Sequence, residues 1–262
     1  FCAREGLTFD AVLDGSQGCE DILNAIARCG FASPSRSSGK LSVIWDERNL
    51  PVTGSYGMSN IINGSFEIGY ITEQLSEEII VRYINPEKDW VQDEVRVTVP
   101  TITNPKQSST IDLMGCTSQS MAGKFANYLA AQQYYRKRRI KWDCDFEGFV
   151  NRRGDVVLLA HDLTQWAYSG RVVSVDGNHI TLDREVPRNG STEYFVLKKP
   201  NGDLITYTVI AASTAGNVVE LSTAPEFQPG HDLVDHMWFF SPLPTPGKKV
   251  KILSVKPLSS SR

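Results

Sequence analysis

Apolar residues first recur at helical spacing near the start of the chain. Cys19, Ile22, Leu23, Ile26 and Ala27 fall on one face and predict a helix over residues 16–29. Ser16 is the candidate N-cap, and Glu20 and Asp21 sit where the helix dipole favours negative charge. Gly30 is the expected left-handed stop, and residues 33–39, with Pro34 inside, read as a polar loop. From Lys40 the period changes to two: Leu41, Val43 and Trp45 mark a strand. Residues 49–64, with their Asn, Gly and Pro, read as mostly connection.

The next signal is an antiparallel hairpin. Residues 78–84 are β-branched and aromatic. In residues 94–99, Val95, Val97 and Val99 face one way while Glu94, Arg96 and Thr98 face the other. Pro86 opens the turn between them. Residues 100–110 read as a loop. A second helix follows over residues 119–136, with Thr117 and Ser118 as cap candidates. Met121, Phe125, Tyr128, Leu129 and Gln132 lie on one side of it, and the cations of residues 136–139 suit its C-terminal pole.

Beyond Ile140 the pattern is one of short strands. Asp176-Gly177 and Asn201-Gly202 signal tight hairpins, Ala215-Gly216-Asn217 precedes another strand, and Gly154-Asp155 feeds a strand over 156–159. Such regular spacing points to a small barrel or sandwich. Pro242, Pro244 and Pro246 read as a stiff linker before a last strand at 250–255.

Composition narrows the function. With 262 residues, 41% hydrophobic and 22% charged, the chain has material for a real core. A net charge of −3 argues against a dedicated nucleic-acid binder. No apolar run approaches the roughly 20 residues of a membrane helix. The odd count of five cysteines, with no Cys-x-x-Cys, favours small buried side chains in a reducing compartment. The chain lacks an initiator Met, a signal peptide and a transit peptide, which suggests a piece of a longer protein.

Four constellations could carry chemistry. His231, Asp232, Asp235 and His236 contain two potential metal ligands, but residues five apart on a strand point to opposite faces. Asp143, Asp145 and Glu147 alternate as carboxylates on one strand face would, as a glycosidase or a hard cation uses them, or simply as a solvated face. Arg136 to Arg139 with Lys141, flanked by Tyr134, Tyr135 and Trp142, could contact phosphates, or be the solvated end of a helix whose aromatics belong to the core. Arg153-Gly154-Asp155 spells an adhesion tripeptide but reads better as a turn. Nucleotide-binding glycine loops, a nucleophile elbow and a zinc-protease signature are all lacking. The expectation is therefore no catalytic residue, no cofactor and no metal.

The order of phrases resembles a known family. Leu113-Met-Gly-Cys-Thr-Ser-Gln-Ser-Met-Ala122 resembles the segment opening a helix in the tail tip attachment (host specificity) proteins of lambda-type bacteriophages. Gly154-Asp-Val-Val157, Ser169-Gly-Arg-Val172 with Ile180-Thr-Leu-Asp183, and the helix 21–30 followed by Gly39-Lys-Leu41 match in the same order. The resemblance implies an α+β, mostly β chain: a tube- or hub-like bent antiparallel sheet with flanking helices, plus a small β-barrel or sandwich insertion. The corresponding divisions are 1–40, the helical end of an upstream hub segment; 41–140, a hub-like domain; 141–245, the β-rich insertion; and 246–262, a linker and the start of a returning strand. Ile79, Val81, Val95 and Val97 are expected inside the subunit.

The implied role is a structural, non-enzymatic hub closing the tail tube at the virion tail tip, made in the bacterial host cytoplasm. The implied partners are two further copies in a homotrimer of the full-length protein, other tail tube and tail tip proteins, and a host receptor reached through regions beyond Arg262. Neither membrane insertion nor sequence-specific nucleic-acid binding is implied. The alternatives are a tail-associated cell-wall or carbohydrate hydrolase, which would need the carboxylate or histidine groups to converge, and a receptor-binding module.

Overall fold

The computed structural model of the protein describes all residues except 14, 16, 38, 48–49, 72–75, 165, 189–191, 200–202, 211–215, 228–235, 243, 245–246 and 258–262. The chain is α+β and mostly β. It forms two compact units, each built from two stretches of sequence: residues 1–48 with 68–140, and residues 49–67 with 141–262.

The first unit contains helices α1 (Cys2–Glu5), α2 (Cys19–Cys29) and α3 (Gln119–Tyr135). Its first strands are β1 (Ala32–Ser37) and β2 (Lys40–Trp45), which form a hairpin of their own. Strand β3 (Val52–Tyr56) belongs to the second unit. Then come β4 (Glu67–Tyr70), β5 (Glu78–Asn85), β6 (Val91–Thr98), β7 (Ser108–Asp112) and β8 (Arg138–Lys141). Strands β5 and β6 are the expected hairpin, in register from Glu78↔Thr98 to Asn85↔Val91. Its tip is a 3-10 turn over Pro86–Lys88, capped by Asn85 Oδ1, which accepts from the Glu87 N–H at 3.0 Å. Lys88 and the Asn85 amide both reach Asp93, and these contacts hold its carboxyl below the usual range.

One face of this sheet packs under α3. Ile79, Val81 and Tyr83 are buried against Met121, Ala122, Phe125, Ala126 and Ala130, with Val95 and Val97 partly buried beside them. The small side chains Ala122, Ala126 and Ala130 recur every four residues, so the helix can lie close to the strands. The expected apolar faces of hairpin and helix are the ones buried, although Ala122, Ala126 and Ala130 carry more of the contact than Gln132.

Several local expectations are corrected. The stretch 33–39 is mostly strand: β1 pairs with β2 from Ala32↔Trp45 to Ser37↔Lys40. Pro34 is tolerated because the other edge of β1 pairs with nothing among the described residues. Residues 108–112, placed partly in a loop, form β7, parallel to β5. Helix α2 starts at Cys19 after Gly18, and the proposed cap Ser16 lies outside the described residues. Gly30 is not left-handed (φ −91°). The left-handed residue is Phe31 (φ 55°), whose ring stacks on Phe125 at 5.9 Å and on Tyr128 at 5.3 Å. Ring stacking and burial offset the strain a non-glycine residue bears there.

The Met-Gly-Cys-Thr-Ser phrase is a clasp. Gly115 is left-handed (φ 80°), and its carbonyl accepts the Asp10 N–H at 2.9 Å. Thr117 Oγ1 donates to Asp10 Oδ2 at 3.1 Å. The Cys116 carbonyl accepts the Ile84 N–H at 3.1 Å, and its thiol is buried. Three sequence-distant pieces thus meet just before α3 begins.

The second unit adds β9 (Val156–Leu159), β10 (Tyr168–Asp176), β11 (His179–Leu182), β12 (Glu193–Lys198), β13 (Leu204–Val209), β14 (Val218–Glu220), β15 (Met237–Ser241) and β16 (Lys248–Lys251). Six of these form one antiparallel sheet in the order β13-β12-β15-β10-β11-β14. Its ends meet. Val209 bridges Leu221, the Ile210 N–H donates to Glu220 O at 2.9 Å, and the Ser222 N–H donates to Thr208 O at 2.8 Å. The sheet therefore curls into a barrel-like form whose two end strands join over this short stretch, closer to the barrel than to the sandwich alternative of the sequence. Strand β10 serves two neighbours: Tyr168–Arg171 pair with β15, and Val172–Asp176 pair with β11 across a bulge at Val173. The interior is filled by Ile180, Leu182, Phe195, Leu197, Trp238 and Phe240 among others.

The β10–β11 turn is Gly177-Asn178, with Asp176 the last paired residue, one position along from the Asp176-Gly177 expected. The β12–β13 hairpin is present, while its Asn201-Gly202 turn lies outside the described residues. Beside the barrel strands, β9 pairs in parallel with β3 and antiparallel with β16. Two expectations change here. Residues 49–64 contain a strand, and the last strand, 248–251 rather than 250–255, joins β9 in this unit instead of returning to the hub-like sheet.

Candidate functional site

The carboxylates Asp143, Asp145 and Glu147 do not share a strand face. Strand β8 ends at Lys141, Cys144 makes an isolated bridge with Ile61, and Asp145 precedes a 3-10 turn over Phe146–Phe149. Glu147 is taken up by Asn60, whose amide donates to it, and by Lys198 at 3.7 Å. Of the histidine group, His231 to Asp235 lie outside the described residues, and His236 is buried beside the Phe227 ring at 5.3 Å. Among the described residues no three His, Cys, Asp or Glu side chains are grouped to hold a metal ion. Arg153-Gly154-Asp155 is the turn expected, closed by the Arg152 N–H donating to Asp155 Oδ2 at 2.7 Å.

The cysteines divide. Cys29 and Cys116 are buried as expected, Cys144 is half-buried, and Cys2 and Cys19 are exposed, against expectation. Burial, reinforced by the neighbouring Cys116, pushes the Cys29 thiol up to about 12. The basic run is not simply a helix end. Arg136 caps α3 and pairs with Asp46, and the chain continues directly into strand β8. An open cleft of 390 Å³ beside α2 is lined by Asp21, Asn24, Arg28 and Asp112, a mixture of charges without a converging set.

What the second unit does build is a rigid platform for exposed aromatics. Tyr56 on β3 is buried, and its hydroxyl accepts from the Asn151 amide at 2.6 Å and donates to the Glu147 carbonyl at 3.3 Å. Burial pushes Tyr56 up to about 12, so it stays a neutral donor. Thr53 Oγ1 donates to Asn151 Oδ1 at 3.1 Å, and Asn60 holds Glu147 from the other side. Gly54 is required beneath this network, because a Cβ there would lie 2.8 Å from Asn151 Nδ2. The turn so held presents Phe146 (80% exposed), Phe149 (75%) and Val150 (72%) to solvent, with the two rings 6.4 Å apart. Exposed aromatics clustered on a well-braced turn mark an interaction surface. Sequence reading missed it, since an apolar residue in a short turn is assigned to the core by default.

Elsewhere in this unit, His161 is buried and stacked on Phe66 at 3.9 Å, and its Nδ1 accepts the Leu163 N–H at 3.2 Å. Burial pushes its pKa below the ordinary value; the Arg184 guanidinium acts the same way, while Asp162 opposes both. The unfolded chain therefore binds the proton more readily, so this contribution to stability is full above about pH 6.5 and is lost as pH falls through the lowered folded value. The melting temperature of this unit should fall from pH 7.5 to pH 5.5. In His161→Asn, which keeps an acceptor for Leu163, that fall should be smaller; an equal fall in both proteins would refute the role of His161.

The family comparison bears on this surface. Residues 19–175, more than half of the chain, match the model of a family described as "Putative phage tail protein". The chain belongs to this family. It is a phage tail component, and the matched segment includes α2, α3, the Met-Gly-Cys-Thr-Ser phrase and the aromatic platform. A crystal structure of a tail protein from Neisseria meningitidis MC58 superposes with a TM-score of 0.45 at 13% identity, covering 82% of this tail protein and 57% of its own chain. No curated protein matches.

Proposed function

We propose that this tail protein is part of the central hub at the distal tip of the tail: a structural, non-catalytic segment that helps close the tail tube and supports host recognition by a longer protein. The carrying observation is the braced platform of Phe146, Phe149 and Val150, a surface built for packing against a partner rather than for converting a substrate. The motif order shared with lambda-type tail tip attachment proteins supports the tip position and a homotrimer of the full-length protein. On this reading the platform packs against neighbouring tail tube or tail tip proteins, and receptor contact belongs to regions beyond Arg262.

Immunogold labelling with antibodies against the 262-residue chain, on particles from the producing strain, tests the position. Gold at the distal tip is expected. Label along the shaft, or accessible tails without tip label, would sink the proposal. Phe146→Ala/Phe149→Ala should leave the fold nearly unchanged, within about 0.5 kcal/mol, because both rings are exposed. Its incorporation into particles should drop by roughly tenfold or more, the loss expected for truncating anchor residues of an interface. Normal incorporation would show that the platform is not an assembly surface.

A further inference from the structure

The chain has a net charge of −3, yet five of its 27 cations fall within residues 136–141. The structure sets most of them on one exposed ridge of the first unit, where α3 ends and β8 runs beside β4. Arg136 is neutralised by Asp46. The next cations are held by aromatic rings: Lys137 Nζ lies 5.0 Å above Tyr134, and the Arg138 guanidinium lies 5.5 Å above Tyr70. The Lys137 carbonyl accepts the Ile71 N–H at 3.0 Å, which ties the two elements together at this point. Lys137 and Arg139 make no ion pair among the described residues, and both are exposed. The acidic residue of β4 is Glu67, at the opposite end of that strand from Tyr70.

Two rings on the ridge stand largely in water. Tyr70 is 64% exposed and Tyr135 is 77% exposed, the latter edge-on to Tyr134 at 4.8 Å. Exposed tyrosines beside Lys137 and Arg139, which make no ion pair among the described residues, provide both things a single-stranded nucleic acid needs, positive charge for phosphates and flat faces for bases. An acidic protein surface would use the charge but leave the rings without a role. We infer that the ridge of Tyr134, Tyr135, Lys137, Arg138, Arg139 and Tyr70 is a contact surface for single-stranded nucleic acid, bound without sequence preference.

The test is fluorescence anisotropy of labelled (dT)20 with the whole 262-residue chain across a salt series. Binding at 50 mM salt that weakens steeply with added salt is expected. Lys137→Gln/Arg139→Gln spares the Asp46 pair and the Tyr70 stack, so the fold should persist, which circular dichroism checks. It should lower the slope of log K against log salt by about 1.4, two phosphate contacts at roughly 0.7 each. Tyr135→Ala should weaken binding about tenfold through lost stacking. Absence of binding at 50 mM salt, or a double variant with parental affinity and slope, overturns the inference. Competition by poly-glutamate as effective as unlabelled (dT)20 would assign the ridge to an acidic protein. Competition by inorganic polyphosphate at equal strength would remove the role of the bases. Either result overturns the assignment to nucleic acid.

Discussion

Trp238→Ala should destabilise the second unit by about 3–5 kcal/mol, the range for emptying a large aromatic site in a packed core. Trp238 is fully buried in the barrel, stacked on Phe195 at 6.0 Å. Its indole N–H donates to the Arg171 carbonyl at 3.0 Å and to Asp183 Oδ1 at 3.1 Å, and Arg184 lies 5.6 Å above the ring. The site has little freedom to collapse. Gly170 presses against the ring edge so closely that a Cβ there would lie 2.7 Å from Trp238 Cζ2, and β15, paired on both sides with β10 and β12, cannot slide inward independently. A fall in melting temperature of about 10 °C or more is expected by calorimetry. The matched control is Trp90→Ala at the tip of the β5–β6 hairpin. That ring is exposed, so the change should stay within about 0.5 kcal/mol. Equal effects of the two substitutions would refute the barrel as the core of this unit.

Gly115→Ala should strike the first unit nearly as hard, for two separable reasons. At φ 80° a side chain incurs a backbone strain of about 1–2 kcal/mol. The new Cβ would also lie 2.3 Å from Phe9 Cε2, and displacing a packed ring costs about 1–3 kcal/mol. Together these predict a loss of about 2–5 kcal/mol in urea denaturation. Repeating the substitution in a Phe9→Ala background removes the clash and keeps the strain, so the further loss there should shrink to about 1–2 kcal/mol. Equal losses in both backgrounds would show that the ring is not what excludes a side chain. The Met-Gly-Cys-Thr-Ser phrase thereby acquires a physical meaning: glycine for the turn, a small buried thiol, and a threonine that fastens residue 10.

The elements legible from sequence were those whose period agrees with their burial. The β5–β6 hairpin and α3 each bury one regular face, so Val95, Val97, Met121 and Phe125 announce them. Three of the overlooked strands break that agreement. Strand β1 carries Pro34 and serines, β3 contains Gly54, and β7 is Ser-Ser-Thr-Ile-Asp. Each is specified by its partner: β2, β9 and β5 supply the hydrogen bonds that composition does not advertise. The left-handed turn after α2 was misplaced for a related reason. Gly30 has the intrinsic freedom, but Phe31 gains two ring stacks by taking the strained conformation. The aromatic platform was illegible because its exposure depends on Tyr56, Asn60 and Asn151, which are remote in sequence from one another or from the turn. The basic run and the aromatics flanking it, Tyr134, Tyr135 and Trp142, were visible, while Tyr70, which comes from a strand distant in sequence, was not.

The position of β15 in the barrel bears on the order of synthesis. This strand is the last of the six to leave the ribosome, yet it lies between β12 and β10, in the middle of the sheet. Until residue 241 has emerged, the hairpins β10–β11 and β12–β13 have no strand to join them on that side, and their apolar faces await Trp238 and Phe240. Residues 49–67, made far earlier, must likewise wait for β9 before β3 has a partner. The intervening segment 68–140, completing a unit that begins with residues 1–48, can fold while they wait. Translation thus completes the assembly of the first unit before the barrel can close, and a nascent chain stalled before residue 237 would carry one finished unit and one unsealed sheet.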